Sequence, residues 1–271
     1  MVRRLLPVCL LLALAACSSS HDAPATAPVS KEELAPAPAG SAAVAPAAST
    51  DASASAAVQK HLADYATVKL GADLSKFDAR QKKMIALLVE AADGMNTLYW
   101  QQAWGDRDAL LQKISDPATR EFAEINYGPW NRLDNDRPFV DGIGARPAGA
   151  QFYPADMGKA EFEQSTLKDK TALYTLLRRD AQGRLISVPY HEAYKAELEK
   201  AAGLLRRGAK LARDPGLRKY LTLRAEALLS DDYQASDFAW MDMKNNPVDI
   251  VIGPIETYED QLYGYKASYE S

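Results

Sequence analysis

A long stretch that is poor in large apolar residues limits how much of this chain can fold. From Ser18 to about Ala57 the sequence consists mainly of Ala, Pro and Ser. Such a composition cannot bury enough apolar surface to offset the entropy lost when a chain is ordered. We therefore predict a disordered tether within residues 17–57 and a folded domain over residues 58–271, long enough for one sizeable core or two small ones.

The residues before Cys17 have the order of an export signal: arginines, a short apolar run from Leu5 to Leu14, then two alanines. The run is too short to span a bilayer, which needs about 20 apolar residues. Leu14-Ala15-Ala16-Cys17 resembles the lipobox of bacterial lipoproteins, which implies a signal peptide at 1–16 and lipid on Cys17. Ser18 next to that cysteine implies the outer membrane, facing the periplasm. The alternative is an ordinary secretory peptide with an incidental cysteine.

Cysteine content and charge narrow the function classes. The two cysteines are Cys9, inside the signal, and Cys17, so we expect no disulfide in the folded part. The formal charge of −4 becomes −6 once residues 1–16, with Arg3 and Arg4, are removed. An acidic balance argues against nucleic acid and against electrostatic attraction to anionic lipid, so membrane contact is assigned to the lipid alone.

Helical periodicity dominates the predicted domain, which makes the fold mostly α, with α+β character. Asp116-Pro117 and Asp214-Pro215 each predict an N-cap followed by proline at the first helical position. We also predict a helix over 261–269. Spacings of three and four place two sets of apolar residues on helical faces: Ile85, Leu88, Val89, Ala92, Met95, Leu98 and Tyr99, and Leu198, Ala201, Ala202, Leu205 and Ala209.

Two segments are predicted to be extended, namely 184–188 and 248–255. The second is nearly continuous in apolar residues, a pattern typical of a strand buried on both faces. Residues 126–156 are rich in Gly, Pro and aromatic residues and predict a long loop, which is uncommon in a compact domain unless it is functional. Of the tryptophans, Trp130 in this loop is the one that we expect to contact a ligand.

Residues for familiar chemistries are missing. A zinc hydrolase needs three protein ligands, but His191-Glu192 is followed by Lys195 where His-Glu-x-x-His needs histidine. We expect His191 to lie on the surface at a helix start, and Asp231-Asp232 to mark a helix end. No Gly-x-Ser-x-Gly elbow and no Gly-rich phosphate loop is present. The sequence therefore predicts no catalytic residue and no metal ligand.

Asp249 stands inside the apolar run of 248–255. An unpaired charge there would cost several kcal/mol if it were buried, so the carboxylate is expected to be paired, exposed or used for binding.

The C-terminal motif resembles the dipeptidyl peptidase III family. The match is carried by Ile252-Gly253-Pro254-Ile255-Glu256-Thr257-Tyr258-Glu259-Asp260 and by Gly264-Tyr265-Lys266-Ala267. Upstream it is carried by Asn126-Tyr127-Gly128-Pro129-Trp130, Phe152-Tyr153-Pro154 and Asp232-Tyr233-Gln234-Ala235-Ser236-Asp237 through Trp240. The resemblance covers most of residues 60–271. It implies the amino-terminal half of a two-lobed zinc metallopeptidase that removes dipeptides from the free amino ends of peptides, with a helical lobe and a small β-core.

The resemblance also implies a site. A carboxylate at the position of Asp249 contacts the amino terminus of the substrate in the family, and Gly253, Pro254, Ile255 and Glu256 would line the same peptide cleft. The family tyrosine that steadies the transition state is replaced by Val251. The family's His-Glu-x-x-x-His helix is not matched, so zinc is expected only with a missing C-terminal half, and this chain is predicted to be inactive alone.

Two alternatives come from other classes. A lipid-anchored binding or scaffold protein could hold a peptide or a protein partner on the 126–156 loop. A glycosidase with a carboxylate pair has only the acidic composition in its favour.

Overall fold

The computed structural model describes residues 50–271; the predicted signal peptide and residues 17–49 of the predicted tether lie outside the described residues. The helices are α1 (Thr50–Leu62), α2 (Ala79–Ala103), α3 (Arg107–Lys113), α4 (Pro117–Asn126), α5 (Lys159–Gln164), α6 (Tyr190–Ala193), α7 (Lys195–Leu211), α8 (Pro215–Ala227) and α9 (Gln234–Asp242). The strands are β1 (Trp130–Asn131), β2 (Arg137–Pro138), β3 (Thr175–Arg179), β4 (Leu185–Pro189), β5 (Gly253–Glu256) and β6 (Ser268–Glu270). This is the mostly helical α+β class that the sequence predicts.

Helix α1 begins at Thr50, inside the stretch that the composition predicts to be tether. Residues 50–57 are rich in alanine, the residue with the highest intrinsic helix propensity, and Val58 in the same helix is buried. The helix therefore extends into the predicted tether.

Helices α2 and α7 form the centre of the domain and run antiparallel. At one end the Arg80 guanidinium donates hydrogen bonds to the carbonyl oxygens of Lys210 and Leu211, at 2.9 and 3.0 Å. At the other end Gln101 donates to Glu197, at 2.9 Å. Between these ends a Cβ atom on Gly208 would lie only 3.2 Å from a Leu88 methyl carbon, so glycine permits the close approach of the two helices.

The predicted face of α7 is confirmed, because all five of its residues are buried. The predicted face of α2 is partly wrong: Leu88, Met95 and Leu98 are buried, but Val89 is 56% exposed. Leu87 and Leu88 are both buried, so the buried face of α2 is rotated by about one residue relative to the predicted face. Met84, Leu87 and Ala91 complete the buried stripe.

Both predicted helix starts are confirmed. The Asp116 carboxylate accepts a hydrogen bond from the Thr119 backbone N–H at 2.8 Å, and Asp214 accepts one from Leu217 at 2.7 Å. Proline follows each cap at the start of the helix, where a missing backbone N–H costs nothing. No helix in the described part of the chain is both long enough and apolar enough to cross a bilayer.

The strands of the described region form three antiparallel pairs, β1 with β2, β3 with β4, and β5 with β6. The extended segment predicted at 184–188 is confirmed as β4, which begins one residue later and ends at Pro189. The β1–β2 pair lies within the predicted 126–156 loop, so that segment is partly ordered as a short hairpin.

The predicted helix over 261–269 is wrong. The chain turns there and returns as β6, because the buried Asp260 carboxylate accepts hydrogen bonds from the backbone N–H groups of the turn. Two reach Oδ1 and two reach Oδ2, at 2.9–3.2 Å; they come from Leu262, Tyr263, Tyr265 and Lys266. These four backbone N–H groups donate to the Asp260 carboxylate and not to backbone carbonyl oxygens one turn earlier, so the segment does not form a helix.

Candidate functional site

The segment 249–256 lies at the boundary between the core and the surface. Ile252 is fully buried, but Val251 and Ile255 are 43% and 42% exposed, so the expectation of a strand buried on both faces is wrong. The regular strand is short and covers only Gly253–Glu256. Since helices cover one side of this segment and not the other, its apolar residues divide between the core and the surface.

Strand β5 has an open edge. Among the described strands it pairs only with β6, with Gly253 opposite Glu270 and Pro254 opposite Tyr269. The opposite edge of β5 has no strand partner among the described residues, and an unpaired strand edge is the kind of edge to which an extended chain can add.

The Asp249 carboxylate stands exposed at the start of this segment. Its Oδ1 atom accepts a hydrogen bond from the Trp240 indole N–H at 2.9 Å and another from the Ile250 backbone N–H at 2.8 Å. No described residue donates to Oδ2. The Trp240 contact therefore fixes the carboxylate and leaves one charged oxygen available to a cation or to an N–H donor.

The Arg224 side chain of α8 lies against Gly253 of β5. This buried side chain of α8 lies with its guanidinium carbon 5.4 Å from the Tyr220 ring centroid and 5.2 Å from that of Tyr233, and it pairs with Asp237 of α9. Gly253 has φ of 136°, and a Cβ atom there would come within 3.2 Å of an Arg224 nitrogen. Only glycine combines this backbone conformation with so close a neighbour.

A buried ion cluster holds the chain that follows β5. The Glu259 carboxylate accepts hydrogen bonds from Tyr99 at 2.8 Å and from the two terminal nitrogens of Arg132 at 2.8 and 3.0 Å, and it also pairs with Arg146. Burial alone would raise the pKa of Glu259, but Arg132, Arg146 and Tyr99 outweigh it, and the pKa lies below its usual value. The cluster ties the 126–156 segment to the C-terminal hairpin.

Lys266 is a second buried charge in the hairpin. Its ammonium group donates to the carbonyl oxygens of Lys170 and Ala172, each at 2.9 Å, and to the Thr175 hydroxyl at 2.8 Å. Burial lowers the pKa of Lys266 to about 8. Arg132, Arg146, Glu259 and Lys266 were not predicted as buried ions, although Glu259 and Lys266 stand inside the motif that carries the family resemblance.

A cavity of about 360 Å³ opens beside the β5–β6 pair, and both Glu256 and Glu270 line it. The Ser268 hydroxyl between them donates to the Glu256 carbonyl oxygen at 3.0 Å. Burial, together with the negative charge of Glu256, raises the pKa of Glu270. Four carboxylates line this cavity, those of Asp136, Glu256, Glu259 and Glu270, together with the guanidinium groups of Arg132 and Arg146.

The predicted site residues differ in their exposure to solvent. Asp249, Ile255 and Glu256 are exposed, whereas Gly253 and Pro254 are buried. The expectation for Trp130 is wrong: the ring is 5% exposed, packs 5.2 Å from Trp104, and donates its indole N–H to the Gly144 carbonyl oxygen. Because Gly144 of the same loop satisfies the indole N–H, the Trp130 ring can be buried without leaving a polar group unpaired.

His191 lies in the first turn of α6, which begins at Tyr190, and it is partly exposed, in line with the prediction. Its Nδ1 atom lies 2.7 Å from Oδ2 of Asp231, so this aspartate does more than end a helix. No group of three or more His, Cys, Asp or Glu side chains in residues 50–271 could hold a metal ion. The described residues therefore do not fit a zinc centre.

Comparison with solved structures now places the fold. The dipeptidyl peptidase III from Caldithrix abyssi superimposes with a TM-score of 0.74 and 38% sequence identity, covering 78% of this chain and 42% of that one. The enzyme from Corallococcus sp. strain EGB gives 0.75 and 35%, covering 79% and 42%. This chain has part of a dipeptidyl peptidase III-like fold. The resemblance predicted from the C-terminal motif is thereby confirmed at the level of the fold.

The chain spans about two fifths of the length of these dipeptidyl peptidase III structures. A curated protein, Nudix hydrolase 3 of Arabidopsis thaliana, is 30% identical over an alignment 279 positions long that covers 80% of this chain and 36% of that protein. No family model matches the chain.

Proposed function

We propose that this chain is an exported, lipid-anchored relative of the dipeptidyl peptidase III enzymes and that it contributes the surface which binds the amino end of a peptide. The fold relationship to dipeptidyl peptidase III structures supports the peptidase class. The observation that carries the binding role is the fixed Asp249 carboxylate at the start of a strand with an open edge.

The two features suit two parts of one ligand. A free amino terminus is a cation, and a charge-assisted hydrogen bond to Oδ2 of Asp249 would hold it. The peptide that follows can pair through its backbone with the open edge of β5, a mode in which main-chain hydrogen bonds supply affinity for many sequences. The exposed Val251 and Ile255 side chains would flank this peptide.

Hydrolysis requires groups that this sequence does not hold. It has no His-Glu-x-x-x-His, since His191-Glu192 is followed by Ala196 at the place of the second histidine. Dipeptide release would then need zinc ligands that this sequence does not supply, and this chain alone would bind peptides without cleaving them.

The location is also a proposal. Its support is the lipobox-like Leu14-Ala15-Ala16-Cys17 followed by Ser18, which favours anchoring in the outer membrane on the periplasmic side. Changing Cys17 to Ala should abolish the incorporation of labelled palmitate into the protein in an expressing bacterium, as followed by immunoprecipitation with an antibody against the folded domain.

Peptide binding tests the proposed site directly. Isothermal titration calorimetry would compare one peptide with a free amino terminus and its acetylated form. We expect the acetylated peptide to bind at least about tenfold more weakly, because a hydrogen bond to a charged group contributes roughly 1.5–3 kcal/mol. Asp249→Asn should remove this difference.

Asp242→Asn is the matched control, because Asp242 is also an exposed aspartate of the same region, at the end of α9. It should leave the preference for the free amino end intact. Equal binding of the two peptides by the unmodified chain would contradict the binding proposal. Zinc-dependent dipeptide release by the purified chain, abolished by a chelator, would contradict the proposal that this chain alone does not cleave peptides.

A binding module built on the 126–156 segment is less well supported. Its large aromatic residues are used inside the fold, since Trp130, Phe152 and Tyr153 are all buried. Arg132 and Arg146 of the same segment are engaged with Glu259.

A further inference from the structure

One end of the α2–α7–α8 bundle is strongly basic, although the chain as a whole is acidic. We call the basic end residues 78–83 and 206–219, which include Arg80, Lys82, Lys83, Arg206, Arg207, Lys210, Arg213, Arg218 and Lys219. Against these nine cations stand two carboxylates, Asp78 and Asp214. The basic end therefore has a formal charge of +7, and the rest of the chain has −11.

Hydrogen bonds and an ion pair show that the two stretches meet. Arg80, in the first turn of α2, donates to the carbonyl oxygens of Lys210 and Leu211 at the end of α7. Asp78, the N-cap of α2, pairs with Arg213 in the connection to α8. Charges that are about 130 residues apart in the chain are thus neighbours on one surface.

Neither carboxylate neutralises this surface fully. Asp78 and Asp214 both cap helices, and each accepts a backbone hydrogen bond at the start of its helix. All nine cationic side chains are exposed. The amino termini of α2 and α8 and the carboxyl terminus of α7 all lie at this end, so their partial charges partly cancel and the side-chain cations set the sign of the field.

Exposed apolar residues precede the basic end in the chain. Leu70 is 90% exposed and Val68 is also exposed, with Lys69 between them and with α2 beginning at Ala79. Large apolar side chains next to exposed cations are the composition of protein segments that lie on an anionic lipid surface.

We propose that the basic end of this domain docks on an anionic phospholipid surface. The net charge of the chain predicts no such attraction, because it averages the basic end with the acidic remainder. Anionic lipid attracts only the cations within about a Debye length of its surface, and that is about 10 Å at 0.1 M salt. Docking would hold the domain in one orientation on the membrane, an effect separate from the peptide binding proposed above.

Vesicle binding tests this inference with the chain from Ser18 to Ser271, which carries neither the predicted signal peptide nor the predicted lipidation site. Co-sedimentation would compare vesicles of phosphatidylcholine with vesicles that also contain phosphatidylglycerol. We expect binding only to the second kind, and a loss of binding near 1 M salt, where the Debye length is about 3 Å.

The double variant Lys82→Glu with Lys83→Glu should reduce that binding by at least about 25-fold, because each cation near such a surface contributes roughly a fivefold factor. Arg206→Glu with Arg207→Glu should act alike, which guards against a folding defect in one variant. The matched control is Lys113→Glu with Lys168→Glu, two exposed lysines outside the basic end, and it should bind as the parent does.

Three results would overturn the inference: equal binding to neutral vesicles, equal losses in the control, or tighter binding to a DNA duplex than to the anionic vesicles at the same salt. Peptide binding, measured separately on the same variants, reports on the Asp249 site. The inference and the proposed function can therefore fail independently.

Discussion

The helical centre and the C-terminal hairpin of this domain are held together in different ways. Helices α2, α7 and α8 meet through leucine, methionine, alanine and glycine, with few buried charges between them. The segment from β5 to β6 instead buries Glu259, Asp260 and Lys266. The comparison teaches that this fold uses apolar packing for its scaffold and satisfied ions to shape the surface beside the candidate site.

Glu259→Gln should break the hairpin most severely. It removes the negative charge that faces Arg132 and the buried Arg146, and loss of one partner of a buried pair costs about 3–5 kcal/mol. The pKa of Glu259 is lowered in the folded state, so its contribution is present at neutral pH and is lost as the pH falls below about 4.5.

Urea unfolding at pH 7 and at pH 3 would measure both effects. Glu256→Gln is the control, since this exposed carboxylate should change the free energy of unfolding by no more than about 0.5 kcal/mol. A Glu259 variant as stable as the parent at pH 7 would show that the cluster is not needed to hold the hairpin.

Leu205→Ala should weaken the helical centre by roughly 3 kcal/mol, at every pH. Leu205 is fully buried in α7, and the loss combines the missing apolar contact with the cavity left behind. Alanine keeps the helix propensity high, so the effect reports packing. Val89→Ala on the exposed side of α2 should cost less than about 1 kcal/mol in the same unfolding experiment. If Val89→Ala lowered the free energy of unfolding as much as Leu205→Ala does, Val89 would have to be packed in the core, as the predicted face of α2 required.

Lys266→Met should change how stability depends on alkaline pH. The pKa of Lys266 is lowered from 10.5 to about 8, so the charged form is disfavoured in the folded state. Folding stability should therefore rise as the pH increases from about 8 to 10.5, by at most roughly 3 kcal/mol. Thermal unfolding of the parent and of the Met variant would give the difference in their stability at each pH of this window. The change of that difference with pH reports the titration of Lys266. A constant difference would contradict the proposed titration.

Glu270→Gln should have the smallest effect. The pKa of Glu270 is raised, which means that ionisation opposes folding at neutral pH and that this penalty disappears as the pH falls below 4.5. We expect a stabilisation of less than about 1 kcal/mol at pH 7, since the group is partly screened by solvent. The two proteins should become equally stable near pH 3 in the same denaturant titration.

Local signals predicted much of the helical region. The buried face of α7, the aspartate-proline starts of α4 and α8, and the extended β4 all depend on neighbours within one or two turns, and they are confirmed. The predictions that proved wrong concern residues whose structure is set by contacts beyond a single turn of the chain. Trp130 was predicted to meet a ligand but donates to Gly144, and residues 261–269 were predicted to be helical but fold around Asp260.

The candidate site shows the same division. The motif from Ile252 to Asp260 was sufficient to predict the fold family, because it is a continuous run of residues. The Trp240 contact with Asp249, the Arg224 guanidinium below Gly253 and the meeting of Glu259 with Arg132 and Arg146 join residues from different elements. No local pattern could reveal them.

By itself, then, the sequence determined the helical class, the family resemblance, the export signal as a prediction, and the absence of a His-Glu-x-x-x-His motif. These follow from residues that lie close together in the chain. Only the tertiary structure decided that Asp249, Val251 and Ile255 are exposed while Ile252 is buried, which ions hold the hairpin, and that nine cations gather at one end of an acidic protein. Electrostatic fields and burial depend on distances in space, and the fold sets these by bringing remote residues together.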